Sequence, residues 1–250
     1  MKFNPNFFLF YTLVITLFID GCVSIQPRAG KTAINCSVLI KTCNAGFSVK
    51  GKSIRYTKFG SGSNVTLLIG SIHGDEQAGA SLLKKFSYYL KDNRDLLCGK
   101  TVIIVPIVNP DGFVKKTRFN ANSIDLNRNF PADNRINDAN NGYFALSEPE
   151  SWGLYRIINT YKPNKILTLH DTLGCIDYDG PAETLAGELA SKCGLPVRKL
   201  GSRPGSLGSY VGLILQMPII TVELSEEDTK LSGKKLLNNY KDMLIEAISF

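Results

Sequence analysis

One short stretch, Ser71 to Glu76, most constrains what this chain can fold into. It follows an apolar, β-prone run from Val65 to Gly70 that has the composition of a buried strand. After the stretch, apolar residues recur at helical spacing from Ala78 to Leu90, with lysines between them. Ser71 to Glu76 is therefore predicted to lie where a buried strand ends and a helix begins.

His73 and Glu76 have the residue types and the spacing of two metal ligands. An imidazole nitrogen and a carboxylate oxygen three residues apart can face one point, and zinc accepts both. The chain has 2 histidines, and the second, His170, also ends an apolar run, from Ile166 to Leu169. We predict that His73, Glu76 and His170 hold one zinc ion per chain. The alternative is that the acidic residues only favour the positive end of the following helix.

The rest of the chain alternates apolar strands with amphipathic helices. Predicted strands cover residues 54–59, 65–70, 101–106, 166–170 and 219–224, and predicted helices cover residues 78–90, 148–161, 181–193, 206–215 and 231–248. Near-continuous apolar strands are typical of a buried parallel sheet. We therefore predict a single α/β domain with a mixed, largely parallel central sheet flanked by helices. In such sheets ligands bind at the carboxyl ends of the strands, where His73, His170 and Glu223 are expected to meet.

The N-terminal segment has the features of a secretory signal. Lys2 precedes an apolar run from Phe7 to Ile19 that is too short for an ordinary membrane span. The residues that follow, up to Cys22, resemble a bacterial lipoprotein box, in which Cys22 would be lipidated. The predicted organisation is a signal peptide at residues 1–21, an irregular linker at 22–50 and a catalytic domain at 51–250. The expected location is the periplasm, with membrane attachment through Cys22.

Cysteine content and net charge narrow the expected environment and partners. Export permits disulfides, and Cys36 and Cys43 are the first candidate pair because they are close in sequence. Cys175 is expected to be a small buried residue of the pocket rather than a nucleophile. The net charge of +7 suits an anionic partner such as a cell-wall peptide with free carboxylates. No motif of interleaved aromatic and basic residues indicates nucleic-acid binding.

Several ordered motifs between Gly51 and the C-terminus resemble those of the M14 zinc metallocarboxypeptidase family. The motifs are His73-Gly74-Asp75-Glu76, Asn109-Pro110-Asp111-Gly112, Thr117-Arg118, Asp125-Leu126-Asn127-Arg128-Asn129-Phe130, His170 and Thr221-Val222-Glu223-Leu224. Within that family the chain most resembles the bacterial murein peptide amidases. That closer likeness rests on Asn120-Ala121-Asn122, on the segment from His170 to Asp177, and on the segment from Pro204 to Tyr210.

The resemblance implies catalytic roles for three residues. Glu223 matches the family's general base, which takes a proton from water and passes it to the leaving amine. Arg118 matches the arginine that stabilises the developing oxyanion. Asp125 matches the carboxylate that orients His73 and fixes its tautomer.

The resemblance also implies how the substrate is held. Asn127 and Arg128 match the pair that binds the free carboxylate of the substrate's last residue, for which a planar guanidinium is suited. The mobile active-site tyrosine of the family has no clear match. Tyr210 either lines the pocket or belongs to a helix core.

The implied reaction is hydrolysis of the amide between γ-D-glutamate and meso-diaminopimelate in a murein peptide. Asp177, Asp179 and Arg203 are candidates for binding the second charged head of diaminopimelate. Two alternatives keep the zinc, namely a carboxypeptidase acting on other cell-wall stem peptides and a deacylase of N-acyl amino acids. A third alternative is a non-catalytic binding lipoprotein of the envelope. Glu223 and Arg118 together favour catalysis, since a binding protein needs neither.

Overall fold

The structure, a computed structural model, describes residues 38–250. The predicted signal peptide, Cys22 and Cys36 lie outside these residues. Lipidation of Cys22 and a Cys36–Cys43 disulfide therefore stay predictions. Within residues 38–250, no helix combines the length and the apolar character that crossing a membrane requires.

In the described residues, six strands form one mixed sheet. They are β1 (Ile40–Phe47), β2 (Ser53–Gly60), β3 (Asn64–Gly70), β4 (Lys100–Val105), β5 (Lys165–Asp179) and β6 (Ile219–Ser225). Their order in the sheet is β1-β2-β4-β3-β5-β6. The central strands β4, β3, β5 and β6 pair in parallel, whereas β1 and β2 add to one edge in antiparallel fashion. The predicted mixed, largely parallel α/β sheet is confirmed.

Residues 38–250 contain five α-helices, of which four cover the two faces of the sheet and the short second one packs against the His73 loop. They are α1 (Ala78–Asp92), α2 (Pro110–Lys115), α3 (Pro149–Tyr161), α4 (Glu183–Cys193) and α5 (Gly233–Ser249). Alternate residues of β3 point to opposite faces, so that Leu68 packs with α1, α4 and α5 while Leu67 and Ile69 pack with α3. The helix predicted at residues 206–215 is a π-helical turn at Ser209–Ile214.

The sheet begins earlier in the chain than the sequence predicted. β1 lies within residues 22–50, which were expected to form an irregular linker, and that part of the prediction is wrong. β1 is an edge strand whose residues are mostly exposed or half-buried. An edge strand with few buried apolar residues gives little hydrophobic signal, which explains the error.

β5 is also longer than predicted, because the chain continues in extended form past His170. Its first half runs parallel to β6, with His170 opposite Glu223. Its second half runs back along β6, since Cys175 is also opposite Glu223 and Asp179 is opposite Ile219. β6 is thus flanked on both sides by β5, and Glu223 lies between the two halves.

The loop that carries His73 is in direct backbone contact with α2. A Cβ atom at Gly74 would lie 2.1 Å from the carbonyl carbon of Gly112, so only glycine permits this approach. The side chain of Gln77 donates a 2.6 Å hydrogen bond to the carbonyl of Phe113, and the N–H of Gly74 donates to the carbonyl of Arg118. The His73 loop and the Arg118 segment are therefore fixed relative to each other.

Candidate active site

The three predicted metal ligands lie together at the carboxyl ends of β3 and β5. One oxygen of Glu76 lies 2.7 Å from Nδ1 of His73, and the other lies 2.6 Å from Nδ1 of His170. The three candidate ligand atoms lie within 4.8 Å of one another, and both histidines are buried. Two imidazole nitrogens and a carboxylate form a donor set that fits zinc, which leaves a fourth coordination position for water or substrate.

Asp125 joins the metal-binding residues to Arg118. One carboxylate oxygen of Asp125 lies 3.1 Å from Nε2 of His73. The other oxygen accepts hydrogen bonds of 3.1 and 3.0 Å from Nε and Nη2 of Arg118. The contact at Nε2 leaves Nδ1 of His73 facing Glu76, the arrangement that a carboxylate beside a ligating histidine imposes. Arg118 is placed at the same centre, 3.6 Å from Glu76.

The close approach of these groups shifts their pKa values. Burial disfavours the charged form of His73, but its hydrogen bonds to Asp125 and Glu76 outweigh burial and raise its pKa to about 8. Burial likewise opposes ionisation of Glu76 and Asp125. The neighbouring histidines nevertheless hold the pKa of both carboxyls well below the usual range. The three protein ligands thus include a carboxylate that stays ionised at neutral pH.

Glu223 lies beside the metal-binding residues but is not one of them. Burial raises its pKa, the charge of Glu76 raises it further, and His170 opposes the shift. Its Oε2 atom is buried and has no hydrogen-bond partner among residues 38–250. A half-buried carboxylate with a raised pKa and a free oxygen has the properties of a general base.

Asn127 and Arg128 lie in a 3₁₀ turn at Leu126–Arg128 that begins at Asp125. The Asp125 side chain accepts a 2.9 Å hydrogen bond from the N–H of Asn127. The side-chain oxygen of Asn127 accepts one from the N–H of Leu207, which leaves its amide group as a donor. Burial lowers the pKa of Arg128, and the charge of Asp125 opposes that shift.

These residues line one cavity of about 270 Å³. Of the predicted site residues, the structure brings together His73, Glu76, Arg118, Asn127, Arg128, His170 and Glu223 as cavity lining, with Asp125 directly behind His73. Asp177, Asp179 and Arg203, the candidates for substrate recognition, line the same cavity.

The returning half of β5 supplies two buried acids to this cavity. Asp177 is 6% exposed and Asp179 is 7% exposed. Asp177 accepts a 2.8 Å hydrogen bond from the N–H of Leu200, and Asp179 accepts a hydrogen bond from Ser202. Burial raises the pKa of Asp177. Neither acid has a cation within 4 Å in the described part of the chain.

Asp171 and Ser202 are polar residues of the cavity wall that the sequence analysis did not single out. Asp171, next to His170, has a buried oxygen without a hydrogen-bond partner among residues 38–250, and burial raises its pKa to about 7. Ser202 contacts Asp179. Asp171 had a signal in the sequence, since a carboxylate directly follows a predicted ligand. Ser202 lies in an irregular segment that gives none.

Two open expectations about nearby residues are resolved by packing. Tyr210 is 5% exposed and stacks on Phe130 with a ring-centroid distance of 6.3 Å, so it belongs to the core. No tyrosine of residues 38–250 lines the catalytic cavity. Cys175 is fully buried beside Glu223, but it does not line the cavity.

Comparison with known proteins agrees with this site. Residues 29–179, which include His73, Glu76 and His170, match the M14 peptidase family, described as zinc carboxypeptidase. The chain belongs to the M14 family of zinc carboxypeptidases. M14 enzymes are zinc-dependent, and this chain is a hydrolytic enzyme of that family.

Individual M14 relatives include enzymes of murein peptides. The chain is 32% identical over 194 residues to murein peptide amidase A of Escherichia coli K12, covering 68% of this chain and 75% of that protein. It is 30% identical over 241 residues to murein peptide amidase A of Vibrio campbellii, covering 89% and 93%.

Solved M14 structures share the fold. Murein-tripeptide amidase MpaA from Escherichia coli O157 matches with a TM-score of 0.65 and 27% identity, covering 82% of this chain and 90% of that one. Carboxypeptidase A of Helicoverpa armigera matches with a TM-score of 0.70 and 18% identity, covering 84% and 69%. At that lower identity the likeness shows the fold alone.

Proposed function

We propose that this M14 enzyme hydrolyses the amide between γ-D-glutamate and meso-diaminopimelate in murein peptides, with one zinc ion per chain held by His73, Glu76 and His170. The proposal is supported by its relatives, which are murein peptide amidases. The observation that carries it is the cavity that adjoins the metal-binding residues. Its walls carry charged groups suited to both ends of diaminopimelate.

Glu223 is the proposed general base. When bound, zinc lowers the pKa of a coordinated water and polarises a carbonyl group. Glu223 accepts a proton from the attacking water and then delivers a proton to the leaving amine nitrogen of diaminopimelate. The raised pKa of Glu223 suits both proton transfers. It makes the carboxylate a stronger base toward water, and the protonated carboxyl can still donate to the leaving amine.

Arg118 is the proposed oxyanion-stabilising residue. Its guanidinium is held by two hydrogen bonds to Asp125 and lies near Glu76, so its position is set before substrate binds. A fixed cation placed where negative charge develops lowers the barrier without reorganising during the reaction.

Arg128 and the amide group of Asn127 bind the carboxylate next to the scissile amide. A guanidinium can donate two parallel hydrogen bonds to a carboxylate, which selects a substrate that ends at this residue. Asn127 is held by Asp125 and Leu207, which positions the pair relative to the metal ligands.

The distal head of diaminopimelate carries an amine and a second carboxylate. Buried Asp177 and Asp179 supply negative charge without a cationic partner in the described residues, and the distal ammonium is the proposed partner. Arg203 lines the same cavity and is the proposed partner of the distal carboxylate. A lysine side chain has only the ammonium, and so would use half of these contacts.

The chain is proposed to act after export. The apolar run before Cys22 supports a signal peptide, and the lipoprotein-like residues up to Cys22 support membrane attachment in the periplasm. Murein peptides are present in that compartment.

The test is incubation of the zinc-loaded protein with L-Ala-γ-D-Glu-meso-diaminopimelate while released diaminopimelate is followed by mass spectrometry. An α-linked peptide of the same composition and a γ-linked peptide ending in L-lysine serve as comparators. The proposal predicts zinc-dependent release from the γ-linked diaminopimelate peptide at the highest rate. Faster cleavage of the α-linked peptide, or of N-acyl amino acids, would identify a different M14 activity and contradict the proposal.

A further inference from the structure

A second cavity, of about 520 Å³, adjoins the catalytic cavity. The two cavities share four lining residues, which are Glu76, Arg118, Asp171 and Thr172. Asn127 and Arg128 line only the catalytic cavity. Since the substrate's last residue is bound where Arg128 lies, the acyl part of the same molecule must leave the reacting centre elsewhere. The shared wall at Arg118 leads into the second cavity, which therefore faces the acyl part.

Lys116 and Asp75, which have opposite charges, line this second cavity and not the catalytic one. Lys116 has no carboxylate and Asp75 has no cation within 4 Å among residues 38–250, and the two do not pair with each other. Arg118, the other cation of the cavity, is already paired with Asp125. Asp171 also lacks a cation within 4 Å among residues 38–250, but it lines both cavities. Lys116 and Asp75 are thus the free charges that line the second cavity and not the catalytic one.

Backbone contacts fix the positions from which the Lys116 and Asp75 side chains extend. Lys116 ends α2 in the left-handed conformation (φ 56°), and its N–H is bonded to the carbonyls of Gly112 and Phe113. Asp75 follows Gly74, whose backbone packs against Gly112. One packed backbone junction therefore carries both residues and the ligand Glu76, so the fold sets where these two exposed side chains leave the backbone.

We propose that Lys116 binds the free α-carboxylate of the γ-linked D-glutamate and that Asp75 binds the free amine of the alanine attached to it. The inference rests on the function proposed above and names the acyl half of that substrate. In a γ-linked peptide the α-carboxylate is a branch beside the chain, whereas in an α-linked peptide it is consumed in the amide. A zwitterionic acyl group presents the two charges that this cavity complements.

The assignment gives the enzyme a preference within murein peptides. A free tripeptide carries the alanine amine, whereas a peptide still attached to glycan through its alanine has lost that charge. Peptides with an amidated α-carboxyl group on D-glutamate have lost the charge that Lys116 binds. The preferred substrate is therefore the released, unamidated tripeptide.

The role of Lys116 is tested by measuring kcat/KM of two variants, each on two substrates. The substrates are L-Ala-γ-D-Glu-meso-diaminopimelate and its α-amide at D-glutamate, and the variants are Lys116→Met and Lys115→Met. Lys115 is the neighbouring lysine of α2 and lines neither cavity. For Lys116→Met we expect kcat/KM to fall roughly fivefold on the carboxylate substrate and to be unchanged on the amide. Lys115→Met is expected to behave as wild type on both.

An equal fall on both substrates, or no fall on either, would overturn the role of Lys116.

Asp75 is tested with Asp75→Asn and the N-acetylated tripeptide. The variant is expected to lose roughly threefold in kcat/KM on the free tripeptide and nothing on the acetylated one. An equal loss on both would overturn its role. Failure of the proposed function is separate, because then the wild-type enzyme would release no diaminopimelate from any of these peptides.

Discussion

Glu223 lies directly beside His170 in the sheet, as its register partner on the neighbouring parallel strand. Adjacent strands are about 4.8 Å apart, so the register alone brings the carboxylate to the metal-binding residues. Burial raises the pKa of Glu223, and the nearby Glu76 adds to the shift. The pairing of β5 with β6 is thus what connects the proposed base to the proposed metal centre.

Replacing Glu223 with glutamine is expected to abolish hydrolysis and to leave the fold and zinc binding intact. The amide keeps the size of the side chain but cannot accept the proton from water, so kcat should fall by about 10²–10⁴. Activity and bound zinc are measured on the same preparation. Glu226→Gln, at an exposed position after β6, is the control and should retain full activity. Comparable loss of zinc in Glu223→Gln would make this residue a ligand rather than a base.

Asp125→Asn is expected to weaken zinc binding by about 10–100-fold. The substitution removes the charge that orients His73 and that pairs with Arg118. Competition with a chelator of known affinity measures the effect. Asp133→Asn, at an exposed position of the same loop, is the matched control. Unchanged zinc affinity in Asp125→Asn would show that His73 is oriented by other contacts.

Arg128→Gln is expected to reduce kcat/KM for a carboxylate-terminated substrate by about 100-fold or more. A charge-assisted bidentate contact contributes roughly 3 kcal/mol, and each 1.4 kcal/mol is about tenfold. The same tripeptide with an amide in place of the terminal carboxylate should be cleaved slowly and equally by both proteins. If the variant lost as much on the amide substrate, Arg128 would not be the carboxylate-binding residue.

Zinc removal should make the stability of the folded protein depend on the ionisation of His73. Its pKa is raised from 6.5 to about 8 by Asp125 and Glu76 in spite of burial. The resulting contribution to the free energy of unfolding is fully present below pH 6.5 and is lost as the pH rises through about 8. Urea unfolding of the chelator-treated protein at several pH values measures the decline.

The matching control is His73→Gln, which should show a shallower decline between pH 6.5 and 8 than the wild-type protein. Asp171, whose pKa is raised to about 7, is still losing its proton in the lower part of this window and remains in that variant, so the difference between the two proteins measures the part due to His73. Zinc affinity of the wild-type protein should rise with pH over the same window, because the bound imidazole must be neutral. Stability that stays level or increases from pH 6.5 to 8 would contradict the assignment.

Gly74→Ala is expected to lower the free energy of unfolding by about 2 kcal/mol or more, since its Cβ would overlap the backbone of Gly112. Gly187→Ala in α4 is the control, because a Cβ there meets nothing within 4 Å and alanine favours a helix. Thermal or urea unfolding compares the two. Equal stabilities would show that α2 can move away from the His73 loop at little cost.

The parts of the fold that depend on apolar runs were predictable. β3 and β6 are buried along most of their length, and their apolar residues indicate strands without further information. Because parallel strands end at one edge of the sheet, the positions of His73, His170 and Glu223 after such runs placed them at one centre. That inference needs only the alternation of strands and helices.

The returning half of β5 could not be predicted, because polar residues and Gly174 interrupt its apolar pattern. Asp177 and Asp179 are buried there and accept hydrogen bonds from Leu200 and Ser202, which are distant in sequence. The stretch at residues 108–141, which is rich in Asn, Asp and Gly, also lacks a periodic apolar pattern. It is held by buried amides such as Asn120, whose side chain donates to Glu148 at 2.7 Å. Such contacts leave no periodic signal in the sequence.

The most direct test of the account is a zinc titration of metal-free protein that follows release of diaminopimelate from L-Ala-γ-D-Glu-meso-diaminopimelate. We predict that activity rises linearly with added zinc and stops rising at one zinc per chain. His170→Ala should bind no stoichiometric zinc and release nothing. Full release by the chelator-treated protein, or stoichiometric zinc without any release from this peptide, would contradict the account.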